Sequence, residues 1–292
     1  MIHLNSTEIH KDRWNTLVKN QSDGLPYAYS EILDKLTGDR WDAIIDKNYE
    51  WILPLPYNRK LVGLKQYYTP YCLQQLGVIG KQPDKNTWKE IYKIIGHKSI
   101  RSNLALNEKN NFEPGPNISY KPNFVLSLAS AYENIMLNYK KNLQQVLKKK
   151  ELHHIRFSHG RDLTGFLKFY FRFTFKKFSS EENISPQYIQ TCYKTFSELG
   201  LVNTLMAADD SGNIFAGLLY LKTNQRIIIS LQSADPDMRH FSGPSLLIDE
   251  LIKMYAGSGQ LLDFEGSAIP SIANFYRGFN PEERSFGVLK IR

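Results

Sequence analysis

The run Asp235-Pro236-Asp237-Met238-Arg239-His240-Phe241-Ser242-Gly243-Pro244-Ser245 has the residue types of an anion site. Ser242 or Gly243 can cap the helix that follows, and Pro244 suits its first turn. Free N–H groups and the helix dipole at such a turn favour a pyrophosphate. Gly243 would let a phosphate approach the backbone, and Arg239 would add charge. An ordinary capped helix would read the same way. Farther on, Asp263 and Glu265 alternate with Leu262 and Phe264, so a strand there would point both carboxylates to one face. A carboxylate in that place can take a proton from an attacking ammonium or hold it by hydrogen bonds. It can equally be a solvated face or one side of a salt bridge. Glu265 is the stronger candidate, because Gly266-Ser267 follows at the strand's C-terminal end, where α/β sites open.

A third group of residues carries charge. Lys168, Arg172 and Lys176 recur every four residues along an aromatic helix, which sets three cations on one stripe. Lys140, Lys141 and Lys148-Lys149-Lys150 are close in sequence, and the whole chain has a net charge of +8. Such a surface suits a polyanion, although a solvated face has the same composition. The seven histidines make no metal-binding pattern, and Cys72 and Cys192 lie far apart. No metal site or disulfide framework is expected, and a reducing, cytoplasmic location is. No Walker loop, Gly-x-Ser-x-Gly elbow or dinucleotide fingerprint occurs. No apolar stretch is long enough to span a bilayer.

The elements that must position these residues follow from apolar spacing. Length suits two domains, at 292 residues with a 42% apolar share. A first helix is expected over about Ser6 to Gln21, then a hairpin of Trp41–Ile45 and Trp51–Tyr57. Pro54 and Pro56 make its second strand an edge or a distorted one. Strand material continues over Tyr67–Ile79, with a helix at Asn86–Gly96 and a strand at Arg101–Asn107. The Asn-, Pro- and Gly-rich stretch from Asn107 to Pro122 reads as a linker.

Beyond it come a strand at Asn123–Leu128 and a helix with a capping box, Ser130 and Glu133, whose apolar face runs to Leu147. A strand at His153–Phe157 precedes the aromatic helix Arg161–Lys177. Ser185-Pro186 opens another helix, stopped by Gly200. Three strands then form a meander over 201–208, 214–223 and 226–232, followed by helix, strand, helix and strand. The first half repeats this order weakly, which suggests two copies of one α/β unit.

The stretches Asp209 to Gly217, Arg239 to Ser245, Asp263-Phe264-Glu265-Gly266-Ser267 and Phe275-Tyr276-Arg277-Gly278-Phe279 resemble the GNAT superfamily of acyltransferases. With Leu73-Gln74-Gln75-Leu76-Gly77 and the strand at 123–128, the whole chain resembles its FemAB-like branch. The resemblance implies an α/β fold of two GNAT-like domains, 1–120 and 121–292, with mixed, mostly antiparallel sheets flanked by helices. It implies an N-acyltransferase that moves an acyl group from acetyl-CoA or another acyl-CoA to a small-molecule or peptide amine.

Tyr276 falls where such enzymes place a tyrosine that protonates the departing thiolate. It also belongs to a core-like stripe with Ile272, Phe275 and Phe279. Glu265 would orient or deprotonate the acceptor. The donor's pyrophosphate would lie on Arg239, His240, Ser242, Gly243 and Ser245. Aligning Gly243 with the family's first glycine puts His240 at the basic position and Ser245 at the small one. Aligning Arg239 instead puts Ser242 and Pro244 where small residues belong. The resemblance leaves two alternatives, an aminoacyl-tRNA-dependent transferase served by the basic helices and a non-catalytic GNAT-like binding protein.

Overall fold

A computed structural model of the protein describes residues 1–59, 64–112, 117–148, 154–175 and 184–291. The chain folds as two compact units, Met1–Pro122 with the final segment from Arg284, and Asn123–Glu283. The last segment, assigned from sequence to the 121–292 domain, therefore clusters with the first unit.

The first unit contains β1 (Ile2–Asn5), β2 (Trp41–Ile45), β3 (Trp51–Arg59), β4 (Lys65–Tyr68), β5 (Ile79–Gly80) and β6 (Arg101–Ala105). Helices Lys11–Asn20 and Ser30–Thr37 lie between β1 and β2, and helix Lys85–Lys98 precedes β6. The strand order is β1-β2-β3-β4-β6, with the chain's last strand, β13 (Glu282–Ile291), beside β6 and β5 paired to β3. Trp88, Ile91 and Ile95 of the Lys85–Lys98 helix pack on Leu53, Leu55, Tyr67 and Leu104.

The second unit contains the latter part of β7 (Ile118–Ser127), then β8 (Arg156–Gly160), β9 (Val202–Ala208), β10 (Ile214–Lys222), β11 (Arg226–Ala234) and β12 (Leu261–Asp263). Its order is β7-β12-β11-β10-β9-β8. Among the described residues each unit has one parallel pair, β4 with β6 and β11 with β12. A parallel pair needs a crossover, and helices Lys85–Lys98 and Gly243–Tyr255 supply it. The suspected repeat is thus a shared strand order, β1-β2-β3-β4-β6 matching β8-β9-β10-β11-β12.

Helix Gly243–Tyr255 buries Leu246, Leu247, Leu251 and Ile252 against Leu205, Leu218, Ile227 and Leu262. Helices Leu163–Phe173 and Pro186–Glu198 cover the opposite face, where Tyr193 Oη lies 2.8 Å from Ser230 Oγ. Ser185 caps the Pro186–Glu198 helix as its sequence predicts, its hydroxyl accepting the Tyr188 N–H.

Several elements differ from expectation for local reasons. Residues 2–5 form an additional strand, β1, before the first helix, which starts only at Lys11. The Tyr67–Ile79 stretch is broken between β4 and β5, because Cys72 and Gly77 take left-handed φ values of 70° and 71° and turn the chain. The helix after β7 is two, Tyr132–Leu137 and Lys141–Lys148, and the Lys140 N–H between them donates to the Gly278 carbonyl. Its N-cap is Ala131, without a side-chain cap, while the Ser130 carbonyl accepts the Gly257 N–H. Pro54 and Pro56 sit in β3, which has neighbours on both sides. Its second side pairs at Trp51–Ile52 with β5 and at Tyr57–Arg59 with β4, and both prolines fall in the gap.

Candidate functional site

β11 and β12 run side by side only from Arg226↔Leu261 to Ile228↔Asp263. β12 then ends, while β11 continues to Ala234. From Ile229 onward that edge of β11 has no strand beside it among the described residues, so a notch opens beyond the carboxyl end of β12. Backbone donors and acceptors of β11 are left there without a strand partner among the described residues.

A bulge decides which side chains face the notch. Leu219 pairs with Leu231 but Tyr220 pairs with Ile229, so Ser230 is an extra residue in β11. Ile227 and Ile229 belong to the core beneath helix Gly243–Tyr255. Without the extra residue Gln232 would alternate onto the opposite face. With it, Ser230 and Ser233 meet Tyr193 and Thr174 on one side, and Gln232 turns to the other. There the Gln232 Nε2 donates to the Tyr276 hydroxyl at 2.7 Å.

Tyr276 ends helix Pro270–Tyr276 and is buried, its ring 4.9 Å from that of Phe264 and 5.4 Å from that of Phe275. Burial first, and then the nearby Glu265 carboxylate, hold the phenol well above the ordinary tyrosine range; the Gln232 bond pulls more weakly the other way. Because its oxygen accepts from Gln232, the phenol retains its own proton for donation.

Glu265 does not lie on a strand. β12 stops at Asp263, and Glu265 is half-buried with a left-handed φ of 44°, followed by Gly266 at 61°. A non-glycine residue in that region is strained, and such strain clusters at functional turns. Its N–H donates to Asp263 Oδ1 at 3.0 Å, and its carbonyl accepts the Ser267 hydroxyl at 3.3 Å. Asp263 itself is a structural group. Fully buried, it accepts from Arg226, equally buried, at 2.6 Å and from Asn123 Nδ2 at 3.2 Å. Asp263 and Glu265 therefore part company, one locked beneath the sheet and one beside Tyr276.

The Arg239–Ser245 loop follows the end of β11. Residues Pro236–Phe241 form a 3₁₀ helix capped by the Asp235 carboxylate. Arg239 is exposed, its Nε donating to the Pro236 carbonyl at 3.0 Å. His240 is exposed too, its ring 4.2 Å from Phe241, which stacks in turn on Phe215 at 4.7 Å. Ser242 has a left-handed φ of 54°. Gly243 is there for packing. A Cβ on it would overlap Ala216 and press on the Phe215 ring, so helix and β10 approach where only glycine fits. The Ser242 N–H donates to the Arg239 carbonyl, and those of Ser245 and Leu246 to the Ser242 carbonyl. Pro244 has no N–H. The turn thus keeps few backbone donors for a phosphate, and exposed Arg239 and His240 are its main anion-binding groups.

No protein-family model and no curated protein matches the sequence. Solved structures do. A structure of FemX superposes over 98% of this chain and 97% of its own, with a TM-score of 0.70 at 10% identity. L-PGS from Bacillus licheniformis covers 95% and 90%, with a TM-score of 0.53 at 9% identity. A tandem GNAT protein from the clavulanic acid biosynthesis pathway covers 99% and 97%, with a TM-score of 0.51 at 11% identity. The chain has the FemAB-like fold of two GNAT-type units.

Within this FemAB-like fold, the second GNAT-type unit holds every candidate residue read from the sequence. Tyr276 and Glu265 come together, and the Arg239–Ser245 loop adjoins the strand that carries Gln232. Gln232 was missed, although a lone amide in the run Ile227-Ile228-Ile229-Ser230-Leu231-Gln232 was a legible signal. The Arg226–Asp263 pair was missed because its partners are far apart in sequence. Lys140, Lys141, Lys148, Lys168 and Arg172 are exposed, while Lys149, Lys150 and Lys176 lie outside the described residues. Among the described residues no group of His, Cys, Asp or Glu could hold a metal, and no helix is long and apolar enough to cross a membrane.

Proposed function

We propose that this chain transfers an acyl group from an activated ester to an amine in the notch between β11 and β12. The observation that carries the reading is the Gln232–Tyr276 hydrogen bond beside that notch. The free edge of β11 would offer its backbone N–H and C=O groups to the carbonyl and amine of the bound substrates. The amine nitrogen attacks the ester carbonyl and loses a proton to Glu265. The bond to the leaving atom then breaks, and that atom takes the proton of Tyr276.

The phenol favours an oxygen leaving group. A thiolate, with a conjugate acid near about 8.5, is less basic than even an unperturbed phenolate near about 10. Tyr276, raised further, would give such a thiolate a hydrogen bond but not its proton. A departing alkoxide is far more basic than a thiolate and so draws more strongly on that proton. The sparse backbone donors at Ser242–Leu246 point the same way. The preferred donor is therefore an aminoacyl ester such as aminoacyl-tRNA, which the exposed Lys140, Lys141 and Lys148 would attract. The exposed Arg239 and His240 support acyl-CoA as the second reading.

Titrating the protein calorimetrically with acetyl-CoA, CoA, aminoacylated tRNA and uncharged tRNA separates the two. Aminoacylated tRNA is expected to bind, and to pass its amino acid to an added amine in single turnover. Micromolar acetyl-CoA binding lost in an Arg239→Ala/His240→Ala variant would hand the site to the thioester. Failure of both donors would sink the transferase reading. Gly243→Trp is unsuitable as a control, because any side chain there collides with Ala216.

A further inference from the structure

The sheet of the second unit is covered unevenly. Among the described residues, helix Leu163–Phe173 packs chiefly on β9, β10 and β11 and not on the edge strand, β8. The result is a cleft of about 410 Å³ between that helix and the face of β8, β9 and the start of β10. It shares no residue with the notch at β11 and β12.

Its lining divides into two kinds. Phe166, Phe169, Met206 and Ile214 supply an apolar floor, and Ile214 is an exposed large apolar side chain at 47%. Lys168 and Arg172, one turn apart on the helix, stand beside this floor with both side chains exposed. Neither has a carboxylate within ion-pair distance among the described residues. The lining carboxylate, Asp162, is the helix N-cap and accepts the Gly165 N–H at 2.9 Å. Cations at i and i+4 lie within about 6 Å of each other and can share one anionic group. The volume is in the range of small-ligand pockets, about 300–1,000 Å³.

We infer that this cleft is a second binding site, for a small amphiphilic anion whose phosphate or carboxylate meets Lys168 and Arg172 while its apolar body lies on Phe169, Met206 and Ile214. A solvated cation stripe would need no apolar floor. A polynucleotide track would extend beyond a cleft of this size, since it must follow successive phosphates.

The test uses the full chain and three probes, 1-naphthyl phosphate, inorganic phosphate and 1-naphthol, with binding read by probe fluorescence and by NMR of the protein. Naphthyl phosphate is expected to bind saturably and about tenfold or more tighter than either half alone. Lys168→Gln/Arg172→Gln should reduce it to the level of naphthol, and Phe169→Ala to that of inorganic phosphate. All three altered positions are exposed or half-buried, so the fold should survive, as circular dichroism would verify. Equal binding of naphthol and naphthyl phosphate would overturn the inference. So would indifference to the double variant, or no saturation at millimolar probe. A 12-nucleotide RNA that binds more tightly than naphthyl phosphate, lost in the same double variant and steeply salt-dependent, would assign the cleft to RNA instead. None of these outcomes depends on the Gln232–Tyr276 notch.

Discussion

In the first unit the parallel pair is closed over; in the second it is left open. β4 ends at Tyr68, and the chain folds back onto β6. The Ala105 N–H donates to Thr69 Oγ1 at 2.7 Å, and its carbonyl accepts the Leu76 N–H at 3.0 Å. In the second unit β11 runs on from Ile229 to Ala234 with nothing comparable on its β12 side among the described residues. The units also spend their buried charges differently. In the first, Asp42 accepts from Lys65 at 2.6 Å and Tyr67 at 2.8 Å, with His3 at 3.3 Å, tying β1, β2 and β4 together. In the second, Arg226 and Asp263 fasten the start of the parallel pair, so that the strands separate only above that clasp. One strand order is therefore closed over in one copy and left open in the other, where we propose that the substrate binds. The difference arises in the connection that follows the fourth strand of the repeat.

The sharpest way to break this contrast is to remove one phenol from each unit. Tyr276→Phe is expected to lower turnover by about 10²–10⁴-fold, as loss of a proton donor does. Tyr67→Phe should leave turnover unchanged. Each removes a hydrogen bond, to Gln232 in one unit and to Asp42 in the other, at about 0.5–1.5 kcal/mol of stability, so denaturant melts alongside rates separate the two roles. Equal effects on rate would end the distinction between scaffold and site.

Breaking the clasps comes next. Arg226→Met strands the Asp263 carboxylate and should cost about 3–5 kcal/mol by urea denaturation. Lys65→Met should cost less, because Lys65 is 25% exposed and Asp42 keeps Tyr67. The reverse order would show that the first unit, not the second, depends on its ion pair. Smaller again, Gly243→Ala forces a methyl onto Ala216 and should cost about 1–3 kcal/mol. Gly77→Ala should cost more than Gly243→Ala. It adds a left-handed backbone to a collision with the Asn107 backbone.

The smallest expected effect is one of pH. Burial by itself would raise the Asp42 carboxyl, but hydrogen bonds from His3, Lys65 and Tyr67 outweigh it and leave the group below its ordinary range. A carboxyl lowered in the folded state stabilises above its unfolded value of 3.8, and that contribution fades as pH falls through the lower, folded value. The first unit should lose stability below about pH 4, and Asp42→Asn should flatten that part of the curve in acid melts. An unchanged acid limb in the variant would place the sensitivity elsewhere.

Much of the fold could be read directly. The meander from Leu201 to Gln232, the Ser185-Pro186 cap and the helix after Pro244 are where their spacing puts them. Glu265 was placed near Tyr276 in sequence by a strand that does not reach it. The residue arrives there through a left-handed turn that alternation of apolar and polar residues does not encode. Asp263 looked like its twin and became the buried partner of Arg226.

By itself, then, the sequence determined local periodicity, the Ser185 helix cap, the resemblance to a doubled α/β unit and the position of Tyr276 in the second copy. These depend on neighbours within a turn or two of the chain. Tertiary structure alone decided that Ser230 is extruded, that Gln232 faces Tyr276 and that Arg226 meets Asp263. It also decided that Gly243 packs where a Cβ would meet Ala216. Each of these turns on the register and approach of segments distant in sequence, which close packing selects among alternatives that local preference leaves nearly equal.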